Sequence, residues 1–194
     1  MIRRARGRGP ARGGVILSSA SPRRSEILEQ LGVDFTVEPP EVEELEAGDP
    51  RELVVENALR KARDRARPGE RVLGADTAVV VDGVAFGKPA DVEAAAELLR
   101  TLSGRSHEVM SGIAVCEDGA ERIDLAVTLV RFRELGEAEI EWYLATGEWR
   151  EHAGGYAIQK RGAALVESIE GDYWNVVGLP VPALLRLVPD LLRG

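Results

Sequence analysis

The chain has 194 residues, 44% hydrophobic and 30% charged, and is long enough to bury a core in one large domain or two small lobes. Its net charge of −8 disfavours general binding to nucleic acid or anionic membranes, because proteins that follow phosphates need a basic face. The single cysteine, Cys116, excludes an internal disulfide. Since the apolar runs are shorter than a signal peptide or a membrane span, we expect a cytoplasmic protein without a membrane partner.

The first thirteen residues differ in composition from the rest of the chain. They contain five arginines and almost no apolar side chains, so they cannot bury enough surface to become ordered. We therefore predict a flexible arginine-rich tail over residues 1–13 and a single domain over residues 14–194. An arm that binds polyanions is the functional alternative for this tail.

Strands and helices alternate along the first part of the chain. Residues 15–17 form an apolar run typical of a buried strand. Ser21-Pro22 is typical of a helix start, because serine caps helices and proline fits the first turn. A short strand is predicted over residues 33–37, and an acidic loop over residues 39–50. Asp49-Pro50 opens a second helix, which we expect to end near residue 67.

Two hairpins are predicted in the central part, because Asp-Gly pairs separate apolar runs at Asp82 and Asp118. Between them, Asp91 caps a helix whose apolar positions share one face. Further segments complete the pattern: a helix over 137–146, strands over 163–171 and 175–179, and a terminal helix from Pro180. Long hairpins mixed with helices indicate an α/β or α+β protein with a mixed sheet rather than a repeating βαβ unit.

Polar side chains follow the first strand and continue into the first helix: Ser18, Ser19, Ser21, Arg23 and Arg24. A helix N-terminus carries partial positive charge and unpaired N–H groups, so two arginines there are electrostatically unfavourable without an anion. Hydroxyls, N–H groups and two guanidinium groups together favour an anion site. The alternative is that both arginines face solvent or pair with Glu26 and Glu29.

A second polar position interrupts the first strand of the first hairpin. Asp76 lies in GADTAVVVDG, a run otherwise suited to burial, where an unpaired carboxylate is costly. It must therefore be paired, cap a turn, bind a metal or act as a base. Lys88, in the GKP turn after the hairpin, is a candidate phosphate contact, with an ordinary surface lysine as the alternative. The spacing of a P-loop is missing here.

The third group is GGYAIQ, in which Gln159 offers a donor and an acceptor suited to reading a base edge. A glycine-rich turn with an exposed glutamine is the alternative.

Asp76 could meet one of three acidic residues around a Mg²⁺ ion: Glu41, Glu43 or Glu44. The two histidines lack ligand spacing and are predicted to be structural: His107 and His152. Spacing alone thus indicates a metal-assisted enzyme that acts on a polyphosphate.

Together these stretches resemble the Maf family of nucleoside triphosphate pyrophosphatases. Seven features occur in family order: ILSSASPRRSEILEQLG, EVEE, the KA of LRKARDRA, GADTAVVVDG with GKP, LSGRSHEVMSGIAV, GGYAIQ and IEGDYWNVVGLP. The resemblance implies a single catalytic domain with an elongated α/β fold, a mixed twisted sheet and two lobes around a central cleft, as in the ITPase-like fold. It also implies hydrolysis between the α and β phosphates, a Mg²⁺ or Mn²⁺ cofactor and a possible homodimer.

The resemblance further implies roles for individual residues. Asp76 matches the family's proton acceptor, which would activate water, and Glu44 matches its metal-associated acidic residue, so both are expected at the metal. Four positions would bind phosphates: Ser19, Arg24, Lys61 and Lys88. Three positions match the branch that resembles dTTP/UTP pyrophosphatases and differ from the branch acting on 7-methyl-GTP: Arg23, Thr77 and Gln159.

Two other functions compete with this interpretation. One is a nucleic-acid-binding or septum-related regulatory protein that uses the arginine-rich tail. The net negative charge of the chain and the lack of a basic helix in the sequence pattern argue against this function. The other is a nucleotide sensor without hydrolytic activity, which the retention of Arg24, Asp76 and Lys88 disfavours.

Overall fold

The computed structural model describes residues 14–193, so the predicted arginine-rich tail lies outside the described residues. Within them, one mixed sheet contains seven strands: β1 Val15–Ser18, β2 Phe35–Val37, β3 Arg71–Val81, β4 Val84–Phe86, β5 Ser106–Glu117, β6 Ala120–Phe132 and β7 Val166–Glu170. The described α-helices are α1 Pro22–Gln30, α2 Pro50–Arg65, α3 Val92–Leu102, α4 Glu137–Ala145, α5 Tyr173–Val177 and α6 Val181–Leu187. None of these helices is long and apolar enough to cross a membrane. The predicted α/β class with a mixed sheet is confirmed.

Side-chain caps fix two of the helix starts that the sequence predicts. Asp49 accepts hydrogen bonds from two backbone N–H groups in the first turn of α2. Asp91 accepts one from the first turn of α3. Ser21 occupies the N-cap position of α1, but its side chain makes no capping bond. Pro22, in the first turn, is therefore the local signal that starts α1.

The sheet order is β2-β1-β3-β5-β6-β7, and β4 also pairs with β3. β1 is parallel to both β2 and β3, whereas the pairs from β3 through β7 are antiparallel. Both predicted hairpins are present, and Asp82-Gly83 and Asp118-Gly119 have positive φ at both residues. A type I′ turn needs this conformation, which asparagine, aspartate and glycine adopt most readily.

One edge of β3 is shared by two strands. β1 pairs with its first half, ending with Ser18 opposite Gly74, and β4 pairs with its last residues from Val79 onward. Residues 75–78 therefore lack a strand partner on this edge, although β5 pairs with them on the other. We call residues 75–78 the edge gap. It separates the β1–β2 end of the sheet from the β4 end.

The two faces of the sheet are covered differently. α2 packs on one face, and the other helices contribute to the large core on the opposite face. Two glycines allow α2 to approach the sheet closely. A Cβ on Gly74 would lie 2.1 Å from the Ala58 carbonyl oxygen, and one on Gly112 would lie 2.1 Å from the Val54 carbonyl oxygen. The α2 backbone thus touches β3 and β5 directly, beside the edge gap.

One predicted element is wrong. The valines of residues 175–179 predict a strand, but this part of the chain begins in helix α5. Asp172 caps the first turn, and the buried Asn175 donates hydrogen bonds to groups on β5 and β6. Gly178, with φ 126°, ends the helix. These tertiary hydrogen bonds override the strand preference of β-branched residues.

Both histidines are buried. The His107 Nε2 atom lies 2.9 Å from the Tyr156 hydroxyl, and the ring packs edge-to-face against Phe132 and Tyr156. Burial lowers the pKa of His107 from 6.5 to about 4. Burial, reinforced by the positive charge of Arg23, also lowers the pKa of His152 to about 4. The folded chain therefore holds both rings in the neutral form well below their ordinary pKa.

We expect the chain to lose stability as the pH falls from about 6.5 toward 4, because the unfolded chain takes up these protons first. For His107 alone, lowering the pH from 7.5 to 5 costs about 2 kcal/mol of unfolding free energy. Urea unfolding at both pH values measures this loss. The variant His107→Gln lacks this imidazole. Its loss of unfolding free energy between pH 7.5 and 5 is therefore expected to be about 2 kcal/mol smaller than that of the wild type. Equal losses in the two proteins would contradict the prediction.

Candidate active site

The edge gap brings side chains together from both faces of the sheet. Because side chains alternate along a strand, Asp76 faces α2 and Thr77 faces α1. The carboxylate cluster, on the α2 side, consists of Glu44, Asn57, Lys61 and Asp76. The guanidinium cluster, on the α1 side, consists of Ser19, Arg24, Thr77 and Ser111. Two sets of polar groups therefore meet at adjacent residues of β3.

Lys61 is the centre of the carboxylate cluster. Its ammonium nitrogen lies 2.8 Å from Asp76 Oδ1 and 2.9 Å from Glu44 Oε1, and only 6% of its side chain is exposed. A buried ammonium needs such partners, because an unpaired buried charge is strongly destabilising. Asn57 Nδ2 donates to the second Asp76 oxygen at 3.2 Å. Both carboxylate oxygens of Asp76 are thus bound, which explains how this residue is tolerated in an apolar strand.

Asn57 also attaches the acidic loop to α2. Its side-chain amide accepts from the Leu45 N–H at 2.7 Å and donates to the Leu45 carbonyl at 3.0 Å. This double hydrogen bond places the preceding residue, Glu44, over Lys61. The other two acidic residues lie elsewhere, since Glu41 pairs with Arg65 and Glu43 lines an open groove. Of the three candidates, Glu44 is the one that approaches Asp76.

Arg24 connects three separate segments in the guanidinium cluster. Its Nε donates to the Gly178 carbonyl at 2.8 Å, Nη1 to Ser19 Oγ at 2.9 Å and Nη2 to Thr77 Oγ1 at 3.3 Å. Only 8% of the residue is exposed. The alternative in which Arg24 points into solvent or pairs with a glutamate of its own helix is therefore wrong. The planar guanidinium is held in one orientation by its fork of donors.

The two arginines of α1 reinforce the positive potential at this end of the helix. Burial lowers the pKa of Arg24, the negative charge of Asp76 opposes this shift, and the charge of Arg23 adds to it. Burial also lowers the pKa of Arg23, whose Nε donates to the Val177 carbonyl at 3.2 Å. Two guanidinium groups beside free helix N–H groups form a site that an anion would stabilise.

Lys88 does not belong to either cluster. It is exposed, and its ammonium pairs with Glu151 at 2.5 Å. The hydrogen bond and charge of Lys88 lower the pKa of Glu151, and the charge of Arg23 contributes to the same shift. Lys88 is thus connected electrostatically to the outer side of the guanidinium cluster, through Glu151 and Arg23.

Gln159 also lies apart from the hydrogen bonds of the two clusters. It is partly exposed, but its Nε2 atom is buried and has no hydrogen-bond partner among residues 14–193. The glycines before it do allow a close approach. Gly154 has φ 73°, and a Cβ there would lie 2.4 Å from a methyl group of Val79. The orphan amide of Gln159 is a donor that lacks an acceptor within the described protein.

Two members of the clusters were not identified from the sequence, although each left a signal. Asn57 lies one helical turn before Lys61, so the two side chains share a face of α2. Ser111 lies between the buried apolar residues Val109 and Ile113 in the alternating pattern of β5. A polar residue at a core position of a regular element is the signal that both share.

The carboxylate cluster can supply ligands to a hard cation, but not a complete set. Within residues 14–193, His, Cys, Asp and Glu side chains do not form a group of three or more that could hold a metal ion. Asp76 and Glu44 nevertheless approach one ammonium at 2.8 and 2.9 Å, so two carboxylates converge on one point. Mg²⁺ commonly takes one or two carboxylates and completes its shell with water and substrate phosphates. These two residues fit that mode of binding.

The sequence matches known proteins over most of its length. A family profile described as Maf-like protein matches residues 14–191. The chain belongs to the Maf family. A relative named dTTP/UTP pyrophosphatase from Symbiobacterium thermophilum is 50% identical over 90% of this chain and 92% of its own length. One of the same name from Pyrococcus furiosus is 45% identical over 90% of this chain and 93% of its own length.

A solved structure of the Staphylococcus aureus Ham1 protein also matches this Maf-family chain. The TM-score is 0.45 and the identity 18%, with 61% of this chain and 71% of that chain covered.

Proposed function

We propose that this Maf-family chain hydrolyses dTTP and UTP to the nucleoside monophosphate and pyrophosphate. One structural observation carries the proposal. The Asp76 carboxylate lies in the edge gap, paired with Lys61 on one face of the sheet and next to the Arg24–Thr77 contact on the other. The names of the relatives described above, which share nearly half or more of their residues with this chain, supply the substrate class.

Asp76 is proposed as the general base. It would take a proton from a water molecule as the water oxygen bonds to the α-phosphorus. The bond from that phosphorus to the bridging oxygen breaks, and pyrophosphate leaves with the bonding electrons. Lys61 and Asn57 each bind one oxygen of Asp76 and would keep the carboxylate oriented toward the water.

The cationic groups are proposed to neutralise the triphosphate. Phosphoryl transfer needs little covalent chemistry from the protein, so positioning and charge stabilisation make the largest contribution. Arg24, Ser19 and the first N–H groups of α1 would bind phosphate oxygens from one side, and Lys61 from the other. Lys88 would leave its exposed pair with Glu151 and bind at the outer end of the triphosphate. A substrate of this charge removes the electrostatic conflict at the start of α1.

A divalent cation, Mg²⁺ or Mn²⁺, is proposed to bind between Glu44 and Asp76. When bound, it would supply positive charge to the phosphate oxygens and polarise the reacting group. Glu44 is suited to this role because 53% of its side chain is exposed, while the Asn57–Leu45 hydrogen bonds hold its loop in place. Arg23, Thr77 and Gln159 are proposed to select the base, with the side-chain amide of Gln159 supplying both a donor and an acceptor.

A substrate panel tests the function directly. We expect Mg²⁺-dependent release of pyrophosphate and monophosphate from dTTP and UTP, and much slower release from purine triphosphates. Chromatographic separation of monophosphate, diphosphate, pyrophosphate and phosphate measures this, with EDTA as the metal-free control. Release of orthophosphate with diphosphate would contradict cleavage at the α–β bond. Tight triphosphate binding without any product would instead indicate a nucleotide sensor.

Two further properties are proposed with this function. A nucleotide hydrolase with one buried free cysteine, Cys116, fits the reducing cytoplasm, where its substrates are found. A homodimer is proposed from the family resemblance, and light scattering at several protein concentrations would test it.

A further inference from the structure

The hydroxyl of Thr77, a residue proposed to select the base, is paired with a buried hydroxyl on the neighbouring strand. Thr77 on β3 lies directly opposite Ser111 on β5, and their hydroxyl oxygens are 2.8 Å apart. Ser111 is completely buried, whereas Thr77 is partly exposed at the edge gap. Arg24 Nη2 also donates to the Thr77 oxygen, at 3.3 Å. The Thr77 hydroxyl therefore has two protein neighbours, on a residue that is partly exposed at the edge gap.

The direction of the hydrogen bond between the hydroxyls follows from counting protons. Within residues 14–193, the Thr77 oxygen is the only hydrogen-bond partner of the Ser111 hydroxyl. If Thr77 donated to Ser111, the Ser111 proton would be buried without an acceptor, at a cost of about 1–3 kcal/mol. If Ser111 donates, its buried proton has an acceptor, and the proton of the partly exposed Thr77 is left for solvent or a ligand. Ser111 is therefore the donor.

This direction decides whether Thr77 presents a donor or an acceptor to a ligand at the edge gap. A hydroxyl oxygen accepts at two lone pairs and donates one proton. Arg24 and Ser111 occupy both acceptor positions of Thr77. The remaining group is its proton, which is free to point into the edge gap. Thr77 then meets a ligand as a donor and cannot act as an acceptor.

We propose that Ser111 is a positioning residue that makes Thr77 an obligate hydrogen-bond donor, so that the site prefers a base with a keto oxygen over one with an amino group. The inference rests on the proposed function, in which Thr77 contacts the base. Uracil and thymine carry two keto oxygens on the ring, whereas cytosine has an amino group in place of one of them. A fixed donor pairs with the keto oxygen and is left facing another donor when cytosine is bound.

The test compares kcat/KM for UTP and CTP in the full-length protein with Mg²⁺. We expect Ser111→Ala to lower the UTP/CTP ratio about five- to tenfold, because Thr77 regains a free lone pair and can accept from the amino group. Ser111→Thr keeps the donor and is expected to preserve the wild-type ratio. Ser111→Cys, with a weak donor of similar size, is expected to fall between the two.

Two controls separate selectivity from stability. In a Thr77→Val background, replacing Ser111 by alanine is expected to leave the ratio unchanged, since the hydroxyl through which it acts is gone. Thermal unfolding shows whether each variant is folded. If Ser111→Ala is not folded, the UTP/CTP ratio is measured with Ser111→Cys instead. An unchanged UTP/CTP ratio in an active, folded alanine or cysteine variant overturns the inference alone. A wild-type protein that releases no pyrophosphate from UTP or dTTP overturns both the proposed function and the inference.

Discussion

Replacing Asp76 by asparagine is expected to reduce kcat for dTTP about 10³-fold while the chain stays folded, because the general base is removed and the shape is kept. The amide oxygen can still accept from Lys61, and Glu44 remains as the partner of that buried ammonium. We expect a loss of stability of about 1–3 kcal/mol from the missing charge. Triphosphate binding is expected to persist, because the cationic groups are intact. Pyrophosphate release, together with equilibrium binding of a non-hydrolysable analogue, measures both effects.

Asp82→Asn is the matched control, since this exposed aspartate in the β3–β4 turn pairs with Arg105 and lies outside both clusters. Asparagine tolerates the positive φ at that position, so activity and folding are expected to be unchanged. Near-normal turnover of Asp76→Asn would remove Asp76 from the role of base. Recovery of turnover at high Mg²⁺ concentration would assign it to holding the metal instead.

The second large effect is expected from Gly112→Ala, which should destabilise the chain by more than about 3 kcal/mol or prevent folding. The new Cβ would lie 2.1 Å from the Val54 carbonyl oxygen and 2.5 Å from the Val55 nitrogen. These are backbone atoms of α2, so no rotamer change can relieve the contact. Gly74→Ala is expected to act similarly, since its Cβ would lie 2.1 Å from the Ala58 carbonyl oxygen. Urea unfolding of the purified variants measures the loss.

Gly87→Ala is the control for this pair, because a Cβ there meets nothing within 4 Å and its φ is an ordinary one. Its unfolding free energy is expected to stay within about 0.5 kcal/mol of the wild type.

Gly112 also lies opposite Asp76 in the β3–β5 register. A partly folded Gly112→Ala variant should therefore lose activity, because a displaced α2 carries Asn57 and Lys61 away from Asp76. Wild-type stability in Gly112→Ala would show that α2 is not held against the sheet as described.

The sequence predicts the larger part of the fold because its signals are local. Asp-Gly pairs, proline after a capping position and alternating apolar runs act over a few residues, and the corresponding hairpins and helix starts are present. Helix α5 was missed because its hydrogen bonds come from β5 and β6, far away in sequence. The two adjacent valines, Val176 and Val177, carry no information about such long-range hydrogen bonds.

The candidate site is predictable to the extent that its residues conflict with their surroundings. Asp76 interrupts an apolar strand, and Arg23 and Arg24 sit at the wrong end of a helix, so each is conspicuous without a structure. Asn57 and Ser111 conflict less with their neighbours, and their importance depends on which elements pack together. The roles of Lys88 and Gln159 rest on resemblance, because the described contacts leave both outside the two clusters.

The edge gap also bears on whether this part of β3 can pair with a strand of another chain. A long free strand edge is a template for aggregation, because it offers a row of unpaired main-chain groups to any passing strand. Here the free stretch is four residues long and is closed at both ends by β1 and β4. An incoming strand would collide with those neighbours before it could form a useful ladder. The edge gap is therefore too short to pair with a strand of another polypeptide.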